Sequence, residues 1–126
     1  MNEVEFLYDH CLQKEVSELS ERFFFIKKND MLVKVMEKEI LFVSVEGRYC
    51  KICLSKESFL VQLSLKKFLQ ICSTNFVQTH RNYIVNFDKI EKVFLKDYLV
   101  LLKNGARVSI SRKYKQEFLR QYLILV

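Results

Sequence analysis

A chain of 126 residues has room for one domain and little else, and its 50% hydrophobic content, with eleven Phe and six Tyr, can form a packed core. No run of eighteen apolar residues occurs and the acidic opening MNEVEFLYDH has no apolar h-region, which excludes a membrane-spanning helix and a secretory signal and reads as cytoplasmic. The net charge of +6 excludes little by itself, because the charges are unevenly spread.

Residues 1 to 22 hold six acids (Glu3, Glu5, Asp9, Glu15, Glu18, Glu21) and two bases (Lys14, Arg22). Within them DHCLQKEVSELSERF sets Leu12, Val16, Leu19 and Phe23 four, three and four apart, one apolar stripe on a short helix. Residues 1–22 therefore read as an acidic linker or docking helix. The other 104 residues, 23–126, hold nineteen bases and nine acids. So basic a unit is an electrostatic footprint for a polyanion, unless its lysines only keep the surface soluble.

From Phe23 onward short strands take over. FFFIKK and MLVKVM flank Asn29-Asp30, a hairpin signal, and ILFVSV leads through Glu46-Gly47-Arg48 to YCKICLS. SFLVQL is a further strand, and LKKFLQIC carries Leu65, Phe68, Leu69 and Cys72 at helical spacing. FVQTHRNYIVNF begins and ends as a strand, with the polar knot His80, Arg81, Asn82 at its centre. KIEKVFL and YLVLL follow, and Asn104-Gly105 between alternating runs predicts a two-residue type I′ hairpin. The closing SRKYKQEFLRQYLILV starts on Ser111 as an N-cap and repeats Tyr114, Phe118 and Tyr122 every four residues. Strands dominate without a βαβ rhythm, so the expected class is mostly β, a β-rich α+β domain.

Little here supports catalysis or a bound metal. Cys50 and Cys53 form a C-x-x-C, but strand alternation sends the two thiols to opposite faces. Cys11, Cys72, His10 and His80 are not at metal-ligand spacing. No glycine-rich phosphate loop occurs, and an acid–base pair would need His10 to fold back from the linker. Neither a cofactor nor an enzymatic activity is expected.

Four stretches in order, LVKVMEKEILFVSVEGRYCKI, SLKKFLQ, FVQTHRNYIVNFDKIEKV and LLKNGARVSISRKY, resemble the LytTR family of bacterial DNA-binding domains over residues 24 to about 120. The resemblance implies an elongated arrangement of small antiparallel sheets with one or two short helices. It also implies the output half of a two-component response regulator, inserting loops into successive major grooves of double-stranded DNA. In that pattern Arg81 projects a base-contacting side chain, with His80 and Asn82 beside it. Tyr49, in the loop after Arg48, supplies a second contact and Arg112 a third. Ser44 departs from the glutamate usual in the family, and the position of Tyr49 varies widely. The family's habit implies direct-repeat sites and a homodimer formed on DNA.

The residue chemistry leads the same way independently. An arginine fork bonds guanine O6 and N7 together, which suits Arg81 and Arg112. Lys51, Lys113 and Lys115 suit phosphates, which fix register without carrying sequence information. His80 reads equally as a DNA contact or as a hydrogen-bonded prop for the corner, and Tyr83 and Tyr114 lie on apolar stripes. Two other classes remain open at this point: a basic RNA-processing nuclease using His80, and a protein-interaction module with a basic face.

Overall fold

The computed structural model describes residues 22–126. The helix expected over Leu12, Val16 and Leu19 lies outside the described residues, and Phe23 opens a strand. The described residues fall into two compact units, one up to Glu39 and the other Ile40–Val126. In the first, β1 (Phe23–Lys28) and β2 (Met31–Met36) pair antiparallel with Lys28 opposite Met31. The two-residue loop places Asn29 at φ 56°, a conformation that Asn tolerates better than most residues.

The second unit runs β3 (Phe42–Glu46), β4 (Tyr49–Cys53), β5 (Ser58–Val61), α1 (Leu65–Ile71), β6 (Phe76–His80) and β7 (Tyr83–Asn86). β8 (Ile90–Phe94), β9 (Leu99–Leu102), β10 (Arg107–Ser109) and α2 (Arg112–Arg120) complete it. A five-stranded antiparallel sheet has the order β5-β4-β3-β7-β6, and a three-stranded one the order β10-β9-β8. The fold is mostly β, built of small antiparallel sheets with two short helices among the described residues, as the alternating runs anticipate.

Strand alternation explains the core. Phe42, Val85 and Val77 form one cross-strand row of the larger sheet, and Val93, Val100 and Val108 form a row of the smaller. Val77, Val85, Val100, Leu102, Val108, Ile110 and Phe118 of α2 meet in one buried cluster, with Phe42 and Val93 packed against it. The opposite row of the larger sheet, Val43, Ile52, Phe59 and Ile84, is buried as well. α1 opens on the N-cap Ser64, whose hydroxyl accepts from the Lys67 N–H, and buries Leu65 and Phe68, the latter edge-on to Phe76.

Asn86 and Thr79 are the buried polar residues of this unit, and Asn86 bonds at its larger sheet. Its side-chain amide donates to the Ile40 carbonyl (2.9 Å) and its Oδ1 accepts from the Asp88 N–H (3.1 Å). Its own N–H donates to the Leu41 carbonyl (2.9 Å), so one buried residue fastens the end of β7 to the approach to β3. Stranding those groups would cost about 1–3 kcal/mol each.

One expected detail changes. The β9–β10 connection is not a type I′ turn, because Asn104 has no positive φ and only Gly105 does (93°). The Gly105 N–H donates to the Leu102 carbonyl and the Leu102 N–H to the Ala106 carbonyl. That makes a three-residue loop, a type I-like turn followed by a glycine at positive φ. Asn104 Oδ1 accepts from the Ala106 N–H (3.0 Å), a local bond that competes with the I′ geometry.

Cys50 and Cys53 lie on β4, three residues apart and so on opposite faces, and both are buried with no disulfide. Burial raises both thiols above the usual cysteine range, which keeps them protonated and unreactive at neutral pH.

Candidate nucleic-acid interface

Three loops leave the second unit at one end. β3 runs towards a hairpin with Glu46 opposite Tyr49, so Gly47 and Arg48 form a two-residue turn. Gly47 has φ 63°, which a II′-type turn requires at its first position and which a side chain there would strain. Arg48 and Tyr49 are exposed on that tip.

The second loop is the polar knot. β6 and β7 form a hairpin with His80 opposite Tyr83, leaving Arg81 and Asn82 as a two-residue turn with neither φ positive. Hairpin turns without positive φ tend to splay their strands. Two features hold this one. The Asn82 N–H donates to His80 Nδ1 (3.1 Å), so the imidazole closes the turn as an Asx side chain would. The Asn82 carbonyl accepts from the Val45 N–H (3.0 Å), which ties this tip to the β3 end beside the first hairpin. Arg81 is left exposed at the apex.

The third element is the start of α2. Ser111 caps it, its Oγ accepting from the Tyr114 N–H (3.3 Å), and the Ser111 N–H donates to the Thr79 carbonyl (2.8 Å). Arg112 and Lys113, both exposed, are thereby held beside the end of β6 that carries Arg81.

Of the residues singled out in the sequence, Arg48, Tyr49, Arg81, Asn82, Arg112 and Lys113 lie on the elements at this end. His80 has a definite structural role. Its Nδ1 is an acceptor, which leaves Nε2 as the N–H, and its ring packs against Tyr83 at 5.2 Å between centroids. Lys51 sits one step back on β4 in a loose surface pair with Glu46 (3.9 Å), an interaction worth about 0–1 kcal/mol. Lys115 is the most committed. Its ammonium donates to the Leu95 carbonyl (3.1 Å) and lies 4.1 Å from the centre of the Tyr98 ring.

No motif in the sequence marks Tyr98 as part of this region. Its φ of 52° is unusual for a bulky side chain, and its carbonyl accepts from the Ile110 N–H (2.8 Å), which fastens the β8–β9 turn next to α2. The Arg112 guanidinium lies 6.0 Å from the same ring. No group of three His, Cys, Asp or Glu able to hold a metal occurs among the described residues, and no described helix is long and apolar enough to cross a membrane.

Replacing His80 with Ala should loosen the Arg81 turn as well as remove a ring from the site. Thermal melts and DNA titrations together should show a lower Tm and a weaker complex. Lost affinity at an unchanged Tm would assign the ring to DNA rather than to the turn.

The family model described as the LytTr DNA-binding domain matches residues 30–123. Sensory transduction protein LytT of Enterococcus faecalis is 33% identical over 97 residues, covering 74% of this chain and 40% of that protein. Sensory transduction protein LytT of Bacillus subtilis is 24% identical over 92 residues, covering 70% of this chain and 38% of that protein. The chain thus spans about two fifths of the length of these curated relatives. A solved LytTr DNA-binding domain from Bacillus cereus superposes with a TM-score of 0.72 at 20% identity, over 79% of this chain and 95% of that one. This chain belongs to the LytTr DNA-binding domain family.

Proposed function

We propose that this chain recognises specific double-stranded DNA sequences as the output domain of a bacterial response regulator, acting on transcription in the cytoplasm. Residues 1–22 serve as the end of a linker, and 23–126 as the DNA-binding domain. Membership of the family supports DNA as the ligand, and the relatives' description as sensory transduction proteins supports a regulator. The observation that carries the residue-level reading is the pair of backbone hydrogen bonds that gather the three tips: Val45 N–H to the Asn82 carbonyl and Ser111 N–H to the Thr79 carbonyl. Arg81 and Arg112 read bases, with Tyr49 as a third contact. His80 and Asn82 shape the turn, and Arg48, Lys51, Lys113 and Lys115 meet phosphates. Two copies sit side by side on direct repeats, pairing as a homodimer on DNA.

A mobility-shift titration tests this, with duplex from upstream of the chain's own gene against scrambled duplex of equal length and composition. The upstream duplex should bind at least tenfold tighter, a difference of about 1.4 kcal/mol. Equal binding to both would leave a non-specific polyanion binder.

A further inference from the structure

Thr79 lies between Gln78, which pairs with Ile84, and His80, which pairs with Tyr83, so it is the extra residue of a bulge in β6. Its side chain is wholly buried. Released from the ladder with β7, it turns its hydroxyl to β10 of the other sheet and its carbonyl to the N-cap of α2. Its hydroxyl donates to the Ser109 carbonyl (3.0 Å), and its carbonyl accepts from the Ser111 N–H (2.8 Å). Thr79, two residues ahead of Arg81, is thus clamped to Ser109 and Ser111, three residues and one residue ahead of Arg112.

We infer that Thr79 is a positioning residue for DNA recognition: its two-point clamp fixes the offset between Arg81 and Arg112, and so the spacing of the base pairs they read. The inference rests on the assignment of both arginines as base readers. It follows from which polar contacts join the two tips in front of their shared core. The β6–β7 turn is held to β3 through Asn82, and α2 is capped by its own Ser111, so each tip keeps its shape without the other. The core of Val77, Val85, Ile110 and Phe118 packs α2 against β6 behind the tips, and among the described residues the Thr79 bonds are the hydrogen bonds that run directly from one tip to the other. A single backbone bond acts as a pivot. A second, from the hydroxyl to a carbonyl two residues away, stops rotation about it.

The test uses the full chain. Selection from randomised duplex gives the preferred site. Arg81→Ala and Arg112→Ala identify the base pairs that each arginine reads, and one base pair is then inserted between them. In the parent the insertion should cost about 10- to 100-fold in affinity, the loss of one bidentate contact. Thr79→Val keeps the shape but not the hydroxyl, and it should cut that penalty to about threefold or less while the salt dependence is unchanged. Thr79→Ser keeps the donor and should retain the parent's penalty despite a lower Tm. If Thr79→Val fails to fold, Thr79→Cys, with only a weak donor at the same place, carries the same comparison. A folded Val or Cys variant that weakens both sites equally, with the parent's insertion penalty intact, overturns the inference. Arginine variants that flatten no base preference would instead defeat the reading on which it rests.

Discussion

Raising salt from about 50 to about 200 mM should weaken the complex with duplex DNA by roughly 10²–10⁴, with log K falling linearly on log salt. The reasoning starts from the count of cations at the three tips. Arg48, Lys51, Arg81, Arg112, Lys113 and Lys115 lie at or just behind them, and those that neutralise phosphates release condensed counterions. Roughly four to six contacts per protomer give a slope of about −4 to −5. Lys113→Ala should shallow the slope by about one unit and weaken every sequence alike. Lys115→Ala should do less to the slope and more to stability, since its ammonium already joins the Leu95 carbonyl to α2. Binding indifferent to salt would remove phosphate contact from the account.

The second large effect concerns the arginines. Arg81→Ala and Arg112→Ala should each cost about 1–3 kcal/mol on the preferred site and flatten the preference at one base pair. Both side chains are exposed, so neither substitution opens a cavity, and Tm should hold within a degree or two. A folded variant that ranks operator variants as the parent does would return that arginine to the ordinary surface charges.

Much of this architecture is written locally. The alternation in FFFIKK, MLVKVM, ILFVSV and YCKICLS, punctuated by Asn29-Asp30 and Gly47-Arg48, states strands and turns without help from the rest of the chain. Ser111 ahead of an apolar repeat marks the start of α2 in the same way. The Asn104-Gly105 loop is instructive because its residues permit two turns. A bond from the Asn104 side chain to the Ala106 N–H favours the three-residue form, and no periodicity records that preference.

What the sequence conceals depends on partners far along the chain. His80, Arg81 and Asn82 stand out as an interruption. That the interruption is a turn closed by His80 Nδ1 follows only once β7 and β3 are in place. Thr79 looks like one more strand residue until Ser109 and Ser111 arrive thirty residues later to bond it. Lys115 reads as a surface cation, and only the left-handed backbone of Tyr98 brings an aromatic face beneath it.

The three tips share one property with a consequence for how new operators arise. The shape of each comes from a residue beside the side chain proposed to read DNA: Gly47 for the first, His80 for the second, Ser111 for the third. The scaffold is therefore largely indifferent to what occupies positions 48, 49, 81 and 112. On the proposed function, a lineage can then drift between target sequences by exchanging tip residues one at a time, without crossing an unfolded intermediate, and the frame stays constant while the target changes.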